Sequence, residues 1–351
     1  MGASAALPGA DSRLPPQEVV GLAGDLLAGP GGHPRLVALE PLKTTVYRLR
    51  FDRLVGTASV VAKRLSPGRA RANELVAQRW LPAAGLERAC PELCGVVNEP
   101  SGSAVWHIYE DVAGSGLDGG IPDPERVGPV VELIAELHTR FADHPLLAEC
   151  QEHGENGDLG IGFFTAQVAR SIDALKSIGS PSVAPSREQA ELRDRLLGRV
   201  ERLDAERDER ASLVERVGGP DTLLHGDLWT TNTHVVERGE GFQARLIDWD
   251  HVGVGPVTYD LSTFLYRFAA EHRPWILGRY RDAVGRQGWR LPDDSTLNLL
   301  FETAEYARYA CCLAGPALAA SRAESWGFEQ LAEVESWFVS LEPVLAVDGG
   351  R

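Results

Sequence analysis

From Arg35 to about residue 110 the chain runs in short, strand-like apolar stretches, and after that it switches to helical periodicity. Leu36–Leu39, Thr45–Phe51 and Thr57–Leu65 are rich in Val, Leu and aromatic residues. Asp52-Arg53 and Gly56 punctuate them, which predicts an antiparallel meander. Ala70 to Leu81 reads as a helix that should stop before Pro82. Two further strand-like runs, Leu93–Val97 and Ala104–Tyr109, flank Asn98-Glu99-Pro100-Ser101-Gly102. Residues 34–113 therefore predict a β-rich lobe carrying one helix. Ahead of it, residues 1–33 form a Gly-, Pro- and Ala-rich lead-in, within which Gln17 to Leu27 predicts a short helix.

Gly114 to Asp123 is glycine-rich and loop-like, and residues 114–351 read as a helical lobe. Val127, Val130, Val131, Ile134, Leu137 and Phe141 recur at spacings of three and four. Leu192, Leu196, Leu197, Val200 and Leu203 do so within a charged stretch, and Leu331, Val334, Trp337, Phe338 and Leu341 do so near the end. Residues 183–217 read as a solvated helix face. In this half only Thr233–Val236 and Ala244–Ile247 look like strands, and a hairpin is predicted between them. Gly253-Val254-Gly255 reads as a turn. Trp289, Tyr306 and Tyr309 are assigned to packing, and Glu302 and Glu305 to an exposed helix face.

Composition narrows the partners. The 351-residue chain carries a net charge of −15, which disfavours a general nucleic-acid binder. No apolar run is long enough to span a membrane, and no secretory leader is evident at the N-terminus, so a cytoplasmic protein is expected. Five cysteines, none with a matching zinc-ligand pair, read as free thiols. Of the 35 basic residues only three are lysines: Lys43, Lys63 and Lys176.

The segment Leu223 to Leu261 carries the chemistry. His225-Gly226-Asp227 is followed five residues on by Asn232, then by a hairpin, then by Asp248 at the end of an apolar strand. An Asp and an Asn at that spacing sit on one short loop, and an Asp at the end of the hairpin can reach the same cavity. Asn232 and Asp248 offer hard oxygens suited to Mg²⁺, leaving Asp227 to accept a proton from an attacking hydroxyl. Lys63, in Val60-Val61-Ala62-Lys63, is the candidate phosphate-binding cation, with Glu74 eleven residues on as its expected partner.

HGDLWTTN and LIDWD resemble the catalytic and metal-binding loops of the aminoglycoside phosphotransferase and choline kinase family of small-molecule kinases. Asp260-Leu261, Leu137-His138 and VVAKR extend the likeness from about Leu36 to Phe268. The resemblance implies an α+β, two-lobed, protein-kinase-like fold. It implies Asp227 as the catalytic base, Asn232 and Asp248 as Mg²⁺ ligands, and Lys63, held by Glu74, on the α and β phosphates. The nucleotide base would meet the connector near Glu110 to Val112. His225 and Asp260 would support the catalytic loop. The turn Glu40-Pro41-Leu42-Lys43-Thr44-Thr45 lacks the glycines of a phosphate-binding loop, so Thr44 and Thr45 are the candidate phosphate contacts there.

The implied activity is transfer of the γ-phosphoryl group of ATP or GTP to a hydroxyl of a small molecule, by a monomer or homodimer. An antibiotic or related natural product is the expected acceptor. A primary metabolite such as choline, a sugar or an amino-alcohol is the alternative, and a non-catalytic nucleotide-binding pseudokinase is a further one. No Asp-Phe-Gly, Ala-Pro-Glu or activation segment is present, which argues against a protein substrate.

Overall fold

The computed structural model describes residues 14–29, 32–179, 185–239 and 241–346; most of the lead-in, residues 1–13, lies outside them. In chain order the first elements are α1 (Gln17–Leu27), β1 (Arg35–Lys43), β2 (Val46–Asp52), β3 (Thr57–Leu65), α2 (Pro67–Leu75), α3 (Leu81–Ala83), β4 (Leu93–Asn98) and β5 (Val105–Glu110). Then come α4 (Pro124–Phe141), α5 (Leu147–His153), β6 (Gly157–Asp158), α6 (Ile161–Ser177), α7 (Arg187–Ala205), α8 (Arg207–Val217) and β7 (Asp221–Leu224). The remainder are β8 (Thr233–Arg238), β9 (Gly241–Leu246), β10 (Gly253–Pro256), α9 (Thr258–Leu265), α10 (Arg273–Gly285), α11 (Asp294–Ser321) and α12 (Ser325–Ser340). The fold is mixed α/β, with a β-sheet N-terminal region and a helical C-terminal region.

The chain divides into two compact units. The first comprises the chain up to Gly116 together with Thr231–Asp250. Its sheet runs β1-β2-β3-β5-β4, antiparallel throughout. Alternation sorts the side chains. Tyr47, Leu49 and Phe51 of β2, Val60 and Ala62 of β3, and Trp106 and Ile108 of β5 form one buried face, covered by Val19 and Ala23 of α1. The helix expected over 70–81 runs on to Ala83, because a π turn at Val76–Trp80 joins α2 to α3. Pro82 falls in the first turn of α3, directly after the π turn.

The β8–β9 hairpin, expected within 114–351, groups with this first unit. Leu246 N–H bonds Ala89 O at 2.7 Å, Arg245 Nη1 bonds Cys90 O at 2.9 Å, and Val235 N–H bonds Ser115 O at 3.1 Å. Backbone pairing of this kind overrides sequence order.

The second unit, Leu117–Thr230 with His251–Arg351, is mainly helical. Its core joins α6, α7, α11 and α12 through Phe164, Leu175, Leu196, Val200, Leu313 and Leu331, among others. Tyr306 stacks on Phe338 and Tyr309 packs against Trp337 and Phe338, as expected of packing residues. Glu305, in contrast, is fully buried and not on a solvated face. The reason is that α11 is enclosed by α6, α9 and α12, and its many alanines hide the apolar surface that would have announced this. Gly253-Val254-Gly255 is strand, not turn: β10 pairs with β6 and β7. Its glycines are needed because a Cβ on Gly253 would stand 2.8 Å from Leu159 Cδ1 and 2.9 Å from Gly157 O. Strands of two and four residues fall below what hydrophobic alternation can signal.

Among the described residues no helix is long and apolar enough to cross a membrane. The five cysteines are free thiols. Gly327 lets α12 close on α11, since a Cβ there would lie 2.5 Å from Ala320 N and 2.6 Å from Pro316 O. Gly327→Ala is therefore expected to cost about 1–3 kcal/mol in urea unfolding. An unchanged midpoint would mean that α12 can shift away freely.

Candidate active site

The sheet face opposite α1 carries the chemistry of the first unit. The alternation that buries Val60 and Ala62 turns Val61 and Lys63 to this other face of β3. His107 and Tyr109 of β5 stand opposite Lys63 and Val61 in the strand register. Here a cavity of about 340 Å³ is walled by Val46, Val61, Val76 and Ile247, with Lys43, Lys63, Asn232 and Asp248 among its polar members. The connector Glu110, Asp111 and Val112 also lines it. Asp111 is locked by Arg48, whose Nε donates to Oδ2 at 2.8 Å and Nη2 to Oδ1 at 3.2 Å, and by Ser59 Oγ at 2.5 Å.

Lys63 is largely buried, and its ammonium donates to Asp248 Oδ1 and Asp250 Oδ1, each at 2.5 Å. Lys43 donates to the other Asp248 oxygen at 2.8 Å. Burial alone would lower the Lys63 pKa, but the charges of Asp248 and Asp250 outweigh it and the net shift is upward. Burial would likewise raise the Asp248 carboxyl, yet Lys63 and Lys43 hold it well below the ordinary carboxylate range. Asp248 adopts φ +68°, a left-handed conformation that costs about 1 kcal/mol for a non-glycine residue and is concentrated at functional sites. Trp249 Nε1 braces that turn by donating to Leu246 O at 3.0 Å.

The expected Lys63–Glu74 pair does not form. Glu74 Oε1 lies 3.3 Å from His107 Nε2, and Arg71 stands 3.9 Å from its other oxygen. His107 faces Lys63 across the β3–β5 register, and the two carboxylates arriving from the end of the hairpin take the ammonium. Burial lowers the His107 pKa against the opposing pull of Glu74. Asp250 is the residue that sequence reading missed. It also accepts from Asn73 Nδ2 at 3.1 Å, tying the hairpin end to α2. Its signal was in plain view: a second carboxylate two residues after Asp248 in LIDWD.

Thr44 and Thr45 sit at the β1–β2 turn with their carbonyls engaged by Tyr47 Oη at 3.4 Å and Arg64 N–H at 2.9 Å. Their neighbours Lys43 and Val46, not the threonines, line the cavity. Asn232 ends the short 3₁₀ turn Thr230–Asn232, and its carbonyl accepts Ile247 N–H at 2.9 Å, which sets it next to Asp248 in the hairpin. The oxygens of Asp248, Asp250 and Asn232 are hard donors, and the two carboxylates already converge on one cation. That donor set suits Mg²⁺. Among the described residues no group of three His, Cys, Asp or Glu is arranged to hold a metal by itself, so phosphate and water oxygens would complete such a shell.

In the second unit, buried Asp260 pins the loop that bears Asp227. Its Oδ2 accepts His225 N–H at 2.7 Å and its Oδ1 accepts Gly226 N–H at 2.9 Å. His138 Nε2 lies 3.5 Å from the same carboxylate, and Tyr280 Oη lies 2.8 Å from His138 Nδ1. His225 Nδ1 accepts Asp227 N–H at 3.3 Å. Gly226 has φ +80°, and a Cβ there would stand 1.8 Å from His251 O, so only glycine fits. Burial would raise the Asp260 carboxyl, but the His138 and His225 interactions hold it below its ordinary value.

The phosphotransferase enzyme family profile matches residues 41–293. No curated protein matches. Among solved structures, an ethanolamine kinase of Plasmodium vivax aligns with a TM-score of 0.55 at 15% identity, over 86% of this chain and 82% of that one. A spectinomycin phosphotransferase in complex with ADP and spectinomycin aligns with a TM-score of 0.52 at 11% identity, over 90% and 91% of the two chains. Its AMP-bound complex aligns at 0.51 and 14% identity, over 88% and 94%. These likenesses extend to the fold.

Because the folded Asp260 pKa is depressed, its stabilisation is present above the ordinary value of 3.8 and is lost as pH falls through the folded value. Asp260→Asn removes the charge and faces an N–H against an amide. The expected loss is about 3 kcal/mol at neutral pH in denaturant unfolding, shrinking relative to wild type below pH 3.8. An unchanged, pH-independent midpoint would remove Asp260 from its pinning role.

Proposed function

The chain belongs to the phosphotransferase enzyme family, and from that premise we propose that it transfers the γ-phosphoryl group of ATP or GTP to a hydroxyl of a small molecule, an antibiotic or related natural product. The observation that carries this reading is the convergence of Lys63 on Asp248 and Asp250 inside a cavity bounded by apolar walls and the Glu110–Val112 connector. The nucleotide base lies against Val46, Val61 and Ile247 and bonds the connector backbone. Lys63, and with it Lys43, meets the phosphates, and Asp250 aims the Lys63 ammonium. Asn232 and Asp248 would hold Mg²⁺, which when bound would offset charge on the phosphate oxygens.

Asp227 takes the proton of the acceptor hydroxyl as its oxygen bonds to the γ-phosphorus. The bond from that phosphorus to the bridging oxygen breaks, and nucleoside diphosphate leaves with the electron pair. His225, Gly226 and Asp260 hold the Asp227 loop in one conformation, so the carboxylate needs no reorganisation as the proton moves. Catalysis is then mainly positioning and charge neutralisation.

The test is formation of phosphorylated product from a panel of hydroxylated antibiotics and metabolites with ATP or GTP. Product from choline, sugars or amino-alcohols alone would move the acceptor to primary metabolism. Nucleotide binding with no product across the panel would make the protein a non-catalytic nucleotide binder. Asp227→Asn is expected to lower kcat by about 10²–10⁴ with nucleotide affinity retained; a near-wild-type rate removes Asp227 as the base. Lys63→Arg is expected to weaken both nucleotide affinity and turnover by roughly tenfold or more, since a planar guanidinium cannot replace a compact ammonium held by two carboxylates. Unchanged nucleotide affinity would separate Lys63 from the phosphates.

A further inference from the structure

Arg267, just after α9 in the second unit, has neither an ion pair nor a side-chain hydrogen bond to any described residue. Its guanidinium lies 3.9 Å from the centroid of the Trp229 ring. Its Nε is buried and has no hydrogen-bond partner, and no side-chain hydrogen bond or ion pair links it to any described residue. Other arginines behave differently. Arg48 clamps Asp111 with two hydrogen bonds, and Arg308 pairs with buried Glu305 and donates to Tyr259 O at 3.1 Å. An arginine kept only for stability at such a site would be expected to satisfy its donors within the fold, because an unmade buried hydrogen bond is costly.

The position is specific. Trp229 is two residues after Asp227, and its N–H donates to Asp227 O at 2.8 Å. The Trp229 ring lies against the guanidinium, and since Nε is buried while the two Nη groups are not among the buried unpartnered atoms, the Nη pair is the edge offered to a planar acceptor. The charged groups around Arg267 are Glu305 and Arg308 of α11 and Asp227 of the loop. Arg308 pairs with Glu305 Oε1, while Glu305 Oε2 is buried without a hydrogen-bond partner; the attraction of Glu305 and the repulsion of Arg308 oppose each other at Arg267, and neither residue bonds it. Burial lowers the basicity of Arg267 without making it neutral.

We propose that Arg267, seated on Trp229 beside the Asp227 loop, is an acceptor-binding residue that receives an anionic group, a carboxylate, sulfate or phosphate, carried by the hydroxylated substrate. This rests on the phosphotransferase reading and deepens it: the acceptor is an acidic hydroxy compound, and a polyamine is disfavoured by the same guanidinium. Recognition is by the paired N–H donors of a fork on two oxygens of one group.

The test uses the full-length protein and sets of hydroxy compounds that share a skeleton and differ in charge: glucuronate, glucose and glucosamine; glycerate, glycerol and aminopropanediol. Binding is measured by calorimetry in the presence of ADP and Mg²⁺, and phosphorylated product is measured with ATP. Wild type, Arg267→Met and Arg267→Lys are compared. The acid of a set is expected to bind on the order of tenfold more tightly than its amine. Arg267→Met should erase that preference, Arg267→Lys should restore part of it, and ADP affinity and thermal midpoint should hold or, for the midpoint, rise.

Absence of an acid preference in wild type, or its persistence in Arg267→Met, overturns the proposal. Loss of ADP affinity in Arg267→Met also overturns it, assigning the guanidinium to the nucleotide instead. An Arg267-dependent acid preference with no phosphorylated product supports this inference while counting against the phosphotransfer reading. Turnover of amines alone does the reverse.

Discussion

One ammonium shared by two carboxylates organises the first unit. Lys63 is taken out of water by the sheet that places it, and a desolvated cation of this kind is tolerable only when paired. Asp248 and Asp250 satisfy it at 2.5 Å each, and in doing so they fix the end of the β8–β9 hairpin against β3. Asn73 ties Asp250 back to α2, and Lys43 draws the β1–β2 turn to Asp248. Four pieces of chain, the hairpin end, β3, α2 and the β1–β2 turn, are thus registered by one cluster of charge. The left-handed backbone of Asp248 is the strain that this cluster sustains.

The second unit solves a different problem: it holds a loop. Asp260 contributes both oxygens to consecutive N–H groups of that loop, and His138 with Tyr280 orders the carboxylate from behind. Gly226 is required because His251 O occupies the space of any Cβ. Backbone and buried side chains therefore set the Asp227 loop. Preorganisation of this kind suits a phosphoryl transfer, in which the protein has little covalent chemistry to perform.

Much of the site was legible because its residues sit in contiguous motifs. His225-Gly226-Asp227, Asn232 and Asp248 are close in sequence, and Lys63 lies on a strand whose alternation can be read. The partner of Lys63 was not legible. Glu74 is on the expected helix, but whether its carboxylate or that of Asp250 meets the ammonium depends on where the hairpin end packs in the folded chain. His107, a buried residue on a neighbouring strand, takes Glu74 instead. Glu305 was misassigned for a related reason: on a helix enclosed by three others, alanine-rich faces carry no amphipathic signature.

The sequence by itself determined the mixed α/β order of elements, the meander, the main helices and the family-specific loop motifs, since each depends on local periodicity or on adjacent residues. Tertiary structure alone decided that residues 231–250 group with the sheet, that Asp250 holds Lys63, that Gly253–Pro256 form a strand, and that Arg267 stands unpaired on Trp229. Each of those outcomes depends on pairing between segments distant along the chain. Such pairing is settled by which donors, charges and surfaces can be satisfied together, and no local pattern encodes that competition.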